Sequence, residues 1–474
     1  MAKERRKPYF WEAILVVIVL MSSLLYTIKV LEGDPQIPLV LSAVFAGLMG
    51  LRTGKKWNEI EEGITTGITS GLKAMIILMI IGMVIGSWII GGVVPSMIYY
   101  GLLILKPSIF LVAVCMIASL TSLAIGSSWS TAGTIGVAAI GIGQAMGIPL
   151  PMVAGAVVSG AYFGDKMSPL SDTTNMAPAV TGTDLFDHIR HMVYTTLPGW
   201  IIALILYAIL GVKYASGTAA TDNISTVLAT LNDSFYIHPI LLLPALLVIL
   251  MVYFKIPAIP GLIGGIVFGC IFAVIFQGAS LASIVETLHY GFAAETGVEF
   301  VDELLSRGGL DSMLWTISLV MIALTLGGIM EKTGMLEAIV EKILTFAKST
   351  GSLVLSTVLT AIAVNLLAAD QYLSIVLTGK MYSPAFKAKN LHPKNLSRII
   401  EDAGTMTSPL IPWNSCGAFM FATLGVSPFA YIPYAFLNLL SPVISVIYGY
   451  TGFTMEKLKP ENEPITVAKT IISK

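Results

Sequence analysis

Two segments far apart in the chain carry the same wording, Gly164-Asp165-Lys166-Met167-Ser168-Pro169-Leu170 and Gly404-Thr405-Met406-Thr407-Ser408-Pro409-Leu410. The first runs on into Ser171-Asp172-Thr173-Thr174-Asn175. The second is preceded by Glu401 and Asp402 and followed by Pro412-Trp413-Asn414-Ser415. Both lie inside long apolar runs, where a proline and a carboxylate are each costly. Proline removes a backbone donor, and its ring clashes with the carbonyl four residues back, that of Asp165 for Pro169 and of Thr405 for Pro409. Each break therefore frees carbonyl oxygens and exposes half-helix ends, whose C-terminal carbonyls attract cations and whose N-terminal amides attract anions. The first break gathers Asp165, Ser168, Ser171, Asp172, Thr173, Thr174 and Asn175; the second gathers Glu401, Asp402, Thr405, Thr407, Ser408, Asn414 and Ser415. These are hard oxygen ligands, suited to a small hard cation such as Na+ and unsuited to zinc or copper.

A carboxylate drawn out of water is protonated more readily, so Na+ and H+ can compete for one acid near neutral pH. With access to one side of a membrane at a time, that competition becomes exchange. Asp165 and Asp172 stand seven residues apart, about two helical turns, and would share a face of an unbroken helix; Pro169 makes this approximate. Asp172 reads as a principal carboxylate for both ions, supported by Asp165 and the surrounding hydroxyls. Glu401, Asp402 and Asp370 are the contributors of the second half. Lys166 reads either as an ion-pair partner that releases Asp165 or Asp172 when Na+ binds, or as a structural partner, the default for a buried charge.

The elements that must hold these groups are membrane helices. The 474 residues have a mean hydropathy of +0.84, with 55% hydrophobic and 12% charged residues, which excludes an ordinary soluble domain. The longest polar stretches, 214–238, 279–311 and 380–398, are loop-sized. A net charge of −1 gives no case for nucleic acid or an acidic partner. Cys115, Cys270 and Cys416 lie far apart in apolar surroundings without CxxC spacing and read as small buried hydrophobes. The basic start, Lys3 to Lys7, leads into an apolar run from Trp11 to Val30 that is too long and lacks the cleavage site of a signal peptide.

Candidate spans are 11–30, 37–51, 74–94, 152–180, 197–213, 240–254, 259–277, 312–330, 396–422 and 428–450, each near the roughly 20 residues that a bilayer requires. Two more apolar runs, 108–147 and 352–383, have polar midpoints, Gly126-Ser127-Ser128-Trp129-Ser130-Thr131 and Ala369-Asp370-Gln371-Tyr372. They are expected to be re-entrant helical hairpins, because irregular backbone at depth is tolerated where it lines a cavity. Ser127, Ser128, Ser130 and Thr131 are then candidate ligands opposite Asp370, although hydroxyls in membrane helices also serve packing.

The order of parts repeats: two spans, an amphipathic stretch (Ile60 to Gly71, then Val285 to Gly297), a span, a hairpin, a broken span and a final span. The expected fold is an all-α polytopic membrane protein of two inverted-topology repeats with re-entrant hairpins and interrupted helices. Its parts are a first repeat over 1–213, a connecting loop over 214–239, a second repeat over 240–450 and a cytoplasmic tail over 451–474. Lys3 to Lys7 place the start inside, and Arg52, Lys55 and Lys56 return the chain inside. The loop 140–151 lacks Lys and Arg, whereas 380–398 carries Lys380, Lys387, Lys389, Lys394 and Arg398, the difference that inversion requires. Gly82, Gly86, Gly327 and Gly328 read as close-packing residues, His188 and His191 as surface histidines of a short connector, and Glu295, Glu299, Asp302 and Glu303 as a solvated face.

At these residues the chain resembles the NhaC family of bacterial sodium/proton antiporters, within the wider ion-transporter superfamily. The resemblance covers almost the whole chain and rests on Gly126 to Thr131, Gly164 to Asn175, Ala369 to Gln371, and Glu401 to Thr405 through Pro412 to Ser415. It implies a multi-pass protein of the cytoplasmic membrane with both termini cytoplasmic, a homodimer with a scaffold part, and elevator-like movement of a transport part. Na+ and H+ are then the transported species, with no cofactor. The family includes exchangers of malate for lactate, whose cation chemistry would look the same. An organic anion needs a fixed cation or half-helix N-termini at depth, and Lys166 is the only deep basic residue in this reading, with no arginine at either break; inorganic ion exchange is therefore the preferred reading. Phe163-Gly164-Asp165 also resembles the Gly-x-Gly-Asp wording of intramembrane aspartyl proteases, but Tyr162 occupies the first glycine position and no second acid motif matches, so an enzyme is not expected. A pure channel is disfavoured, because titratable acids at paired breaks would hinder rapid passage.

Overall fold

The computed structural model describes residues 5–213, 218–254 and 256–458. Every regular element among them is helical, apart from a single bridge between Leu391 and Lys457. The first half opens with α1 (Phe10–Lys29) and α2 (Gln36–Arg52), followed by the amphipathic α3 (Trp57–Ser70). Arg6 donates to both oxygens of the buried Glu12 at 2.7 and 2.6 Å, Arg52 approaches the same carboxylate at 3.5 Å, and Arg5 pairs with Glu59 at 2.5 Å. These contacts tie the N-terminal segment to the turn between α2 and α3, so both lie on one face, as the lysine and arginine pattern predicts.

Next come α4 (Leu72–Ile90) and, after a turn at Gly92 with φ of 74°, the short α5 (Val93–Ile104). The first expected hairpin follows as α6 (Pro107–Ile125), the polar tip, α7 (Ser128–Thr131), a π-helical stretch over Ala132–Gly136 and α8 (Val137–Ala145). A side chain at Gly143 would meet Phe110 at 3.1 Å, and these two residues lie almost equally far from the tip, so the arms fold back on each other. The expected broken span is α9 (Leu150–Met167) and α10 (Asp172–Thr181), and α11 (Leu185–Val212) closes the half.

The second half repeats much of this order. The segment 214–239, expected as a connecting loop, contains α12 (Thr218–Ser234). Then come α13 (Leu243–Tyr253), α14 (Ala258–Gln277), the amphipathic α15 (Leu281–Tyr290), α16 (Glu299–Leu305) and α17 (Leu314–Thr333). Gly334, with φ of 82°, turns the chain into α18 (Met335–Leu344), just as Gly92 does before α5. The second hairpin is α19 (Thr350–Ala368) and α20 (Gln371–Ala388). Its arms are joined by Ser374 to the Ala361 carbonyl at 2.8 Å and by Tyr382, which meets Thr360 at 2.8 Å and donates to the Ser356 carbonyl at 3.0 Å; Tyr382 and Ser356 lie almost equally far from the Ala369–Asp370 tip, as a hairpin requires. The broken span is α21 (Pro393–Ile400), a π-helical stretch over Glu401–Thr405, a 3-10 turn over Ser408–Leu410 and α22 (Ser415–Leu424). The chain ends in α23 (Pro428–Tyr431) and α24 (Phe436–Thr451).

Seven described helices are long and apolar enough to cross a membrane, or up to nine if each of two sharply bent pairs forms one span. Two of the seven are first arms of the hairpins, so five of the ten expected spans appear as single long helices; the broken spans divide into shorter pieces, α2 and α24 are short, and α13 counts only with the bent pair it ends. Two close approaches set the site. A Cβ on Gly164 would lie 2.2 Å from the Leu123 nitrogen, so only glycine lets α9 press its backbone onto α6 beside Asp165. A Cβ on Gly327 would lie 2.5 Å from the Ala368 carbonyl, which seats the second hairpin tip on α17.

Candidate functional site

Helix α9 stops where Ser168 turns extended (φ −82°, ψ 129°), because Pro169 has no N–H to continue the ladder. The chain restarts at Asp172 under a cap of local bonds. Asn175 Nδ2 donates to the carbonyls of Pro169 and Ser171 at 2.8 and 2.7 Å, and Thr174 Oγ1 bridges those of Asp165 and Lys166 at 3.0 and 2.9 Å. Asp165 sits in the gap, buried, with Ser128 donating to Oδ2 and Ser171 to Oδ1, each at 2.6 Å. Ser171 in turn meets the buried Thr173 at 3.1 Å. The tip of the first hairpin is pressed against this break: a Cβ on Gly126 would lie 2.7 Å from Leu170 and 2.9 Å from the Ser171 nitrogen. One carboxylate, two hydroxyls and freed backbone oxygens thus meet at a dry point, a donor set for a hard cation.

The neighbouring Lys166 is fully buried and donates to Asp402, not to Asp165 or Asp172 as the sequence suggested. The same carboxylate accepts from Thr195 at 2.9 Å and Ser445 at 2.5 Å, and the Arg398 guanidinium lies 3.9 Å away. Arg398 is fully buried and anchored to Thr454 at 2.7 Å. It corrects the expectation that no arginine stands near either break; the cation-rich stretch 380–398 suggested a loop, whereas its end is the buried helix α21. Asp402 is consequently surrounded by two cations and two hydroxyls.

Glu401 has the opposite environment. It is fully buried and neither oxygen makes a regular hydrogen bond; the Thr405 hydroxyl, which has no other partner, is the donor that acts on it. Both belong to the π-helical stretch, a rare geometry that often marks functional positions because it displaces side chains from the regular helical face. Glu401 feels Lys166, Asp165 and Asp402 electrostatically. Taken together, three carboxylates (Asp165, Glu401, Asp402) face two cations (Lys166, Arg398) in a buried cluster. When all are ionised, it carries one net negative charge.

The second hairpin tip faces the second break. Ala369 has φ of 57°, Asp370 caps α20 through the Leu373 amide at 2.8 Å, and the Ala369 carbonyl accepts from the Ser415 amide at 2.9 Å. Ser408 donates to Gln371 at 3.2 Å and to the Thr405 carbonyl at 2.8 Å. Asn414 caps α22 at the Cys416 amide at 3.0 Å and reaches Asn365, whose own amide donates to the Gly404 carbonyl at 2.6 Å. Trp129 of the first tip stacks on Phe419 of α22, with ring centroids 4.1 Å apart. The two halves therefore meet at one place.

Other expectations need correction. Asp172 is not in the buried cluster: its side chain is 63% exposed and pairs with Lys73 at 3.3 Å, although it remains near enough to act on Asp165 electrostatically. Asn175 is exposed and closes the break. Ser127 caps α7 at the Ser130 amide, and Thr131 bonds the Ser127 carbonyl, so of the four tip residues only Ser128 reaches an acid. His188 and His191 are buried, not surface residues: His188 meets Ser397 at 2.8 Å and His191 the Thr454 carbonyl at 2.9 Å. Thr195, Ser445, Asn365 and Lys73 were not singled out from the sequence; only their contacts give them a role. Among the described residues, no group of three His, Cys, Asp or Glu side chains is placed to hold a metal ion.

The model of the Na+/H+ antiporter family matches residues 160–453. The chain is 43% identical to the Na(+)/H(+) antiporter NhaC of Alkalihalophilus pseudofirmus, covering 94% of this chain and 96% of that protein. It is 40% identical to the Malate-2H(+)/Na(+)-lactate antiporter of Bacillus subtilis, covering 95% and 96%, and 38% identical to the Arginine/ornithine antiporter ArcD of Halobacterium salinarum, covering 98% and 96%. With a break, a hairpin tip and a buried carboxylate cluster inside the matched region, the chain belongs to the Na+/H+ antiporter family.

Proposed function

We propose that this multi-pass membrane protein is a secondary transporter that exchanges Na+ for H+ across the cytoplasmic membrane by alternating access. The observation that carries the reading is the single net negative charge of the buried cluster. One monovalent cation neutralises it, and an unneutralised charge in a dry interior costs several kcal/mol. Na+ and H+ are then alternative occupants. Asp165 provides the Na+ position, since Ser128 and Ser171 can turn their hydroxyl oxygens to a cation. Glu401, with only the Thr405 hydroxyl beside it, takes the proton. Asp402 pairs with Lys166 and lies beside Arg398, and holds the two halves in register.

Asp172 remains in the pathway, in a different place. Gly71 abuts Leu324 and Gly82 abuts Met313, so α4 runs antiparallel to α17 and Lys73 lies level with the middle of that span. An exposed ion pair at that depth is tolerated where it faces water. We place the Lys73–Asp172 pair in an aqueous approach to the site, with Asp172 as an entry ligand for Na+. The matching order of elements supports two inverted repeats, 1–213 and 240–450, with both termini cytoplasmic. The two αL glycines before α5 and α18 add to that support. A homodimer and an elevator-like movement follow the family resemblance.

The test is a proteoliposome assay with an imposed pH gradient. Added Na+ dissipates the gradient for the parent, Asp165→Asn and Glu401→Gln abolish the response, and Asp172→Asn slows it. The same assay with malate and lactate separates this reading from that of a coupled organic-acid exchanger. An absolute requirement for either acid overturns the Na+/H+ assignment.

A further inference from the structure

A second feature lies away from the carboxylate cluster, at the far end of α22. A cleft of about 360 Å³, open on one side, is lined by the loop before α17, the end of α15, α4, the second arm of the first hairpin and the last turn of α22. Its only charged lining residue is the half-buried Arg307. No hydrogen bond or ion pair of the Arg307 guanidinium occurs among the described residues; the nearby acid that acts on it is the exposed Glu303, outside the lining. The guanidinium lies against Gly425, the αL residue that ends α22, where a Cβ would stand 3.2 Å from Nη1. The ordinary role of such an arginine is to face the negative end of a helix. That role leaves its fork of donors unused.

Two further observations point to a ligand. Thr423, also on the lining, is 4% exposed and its hydroxyl has no partner, so a buried polar atom is left unsatisfied inside the cavity. Native structures rarely leave such atoms without a partner. The rest of the lining sets an apolar side, made by Ile85, Val137, Phe292 and Met313, against a polar one that includes Ser306 and Ser312. A planar guanidinium matches a carboxylate or phosphate with two parallel bonds. The apolar walls suit a carbon skeleton better than a bare inorganic ion. The volume is also far more than a chloride needs, since a water occupies about 30 Å³ of liquid.

We infer that this cavity is a binding site for a small organic carboxylate, held by the Arg307 guanidinium and the Thr423 hydroxyl. The bound acid joins the loop before α17 to the end of α22, the helix that follows the second break. The inference does not depend on which ion the buried cluster carries.

The experiment measures heat of binding, by titration calorimetry, to the purified full chain in nanodiscs. The probes are acetate, succinate, inorganic phosphate and chloride. Saturable binding of acetate or succinate is expected for the parent. It should weaken on the order of tenfold or more in Arg307→Gln and by a smaller factor in Thr423→Val. The unfolding temperature of Arg307→Gln without added acid, and its Na+ response in proteoliposomes, verify that the variant is folded. If Arg307→Gln fails to fold, Arg307→Lys keeps the charge without the fork and is expected to lose most of the carboxylate affinity. Carboxylate binding that is absent from the parent, unchanged in these variants, or weaker than that of phosphate or chloride overturns the assignment.

Discussion

The buried pair of Lys166 and Asp402 gives an asymmetric prediction. Both side chains are fully buried, and they come from the two breaks, 236 residues apart in sequence. Asp402→Asn leaves Lys166 and Arg398 without their shared counter-ion. Removing one partner of a buried pair costs about 3–5 kcal/mol where the remaining charge is uncompensated; here Asp165 and Glu401 can still balance the two cations in charge but make no hydrogen bond to them among the described residues, so the lost contacts put the cost at the lower end of that range. Lys166→Met is milder: Asp402 keeps Thr195 at 2.9 Å, Ser445 at 2.5 Å and Arg398 at 3.9 Å. Its loss resembles that of one charged hydrogen bond, about 1.5–3 kcal/mol. The double variant leaves only Arg398 unpaired and should be more stable than Asp402→Asn alone, by roughly 1–3 kcal/mol. Equilibrium unfolding in mixed micelles, compared across the four proteins, measures this coupling. Equal costs for the two single variants, or strictly additive costs in the double, would refute the reasoning.

Other expectations follow from single contacts. Ser128→Ala and Ser171→Ala each remove one hydrogen bond to Asp165, so each should raise the Na+ concentration for half-maximal exchange on the order of tenfold; an unchanged value would remove that hydroxyl from the site. Gly164→Leu places a branched side chain where a Cβ already meets backbone at 2.2 Å, and should sharply lower the yield of folded protein, read by size exclusion in detergent. At the chain's end, residues 452–458 are strapped to the turn before α21: the His392 amide donates to the Glu456 carbonyl at 2.9 Å and the Leu458 amide to Asn390 at 3.0 Å. A hydrogen bond from Lys394 holds the Glu456 carboxyl below the usual carboxylate range. A depressed folded pKa contributes stability above the unfolded value that is lost as pH falls through the folded one. The protection of the His392 and Leu458 amides, taken relative to their intrinsic exchange rates at each pH, should therefore fall in acid for the parent, and already be lower at neutral pH in Glu456→Gln. Identical protection in the two proteins at neutral pH would contradict this.

Some of this was legible in the sequence because the cause is local. Pro169 and Pro409 interrupt their helices where Pro178, Pro198, Pro384 and Pro442 do not, and the serines and acids beside them mark the difference; a polar midpoint in an apolar run must either leave the membrane or fold back inside it. Gly126 and the Ala369–Asp370 pair mark where the two runs turn. Pairing across the fold was not legible. Nothing local tells Lys166 to choose Asp402 over Asp165, one residue away; that choice depends on how α9 and α21 cross. Arg398 and the histidines were misread for a related reason: polar residues near other polar residues suggest surface, yet here they bury one another. Asp172 was misplaced because helical spacing was carried across a proline break that redirects the chain. The short helices α5 and α18 fell below the length at which hydropathy distinguishes an element from its neighbours.

The central claim is that Na+ and H+ compete for one negative charge in the buried cluster. Proton release on Na+ binding, measured with a pH indicator in weakly buffered purified protein, tests it most directly. The parent should release close to one proton per Na+ bound, with Na+ affinity falling as pH falls, and both effects should vanish in Asp165→Asn and in Glu401→Gln. Na+ binding that releases no proton, or release that survives in both variants, would contradict the account.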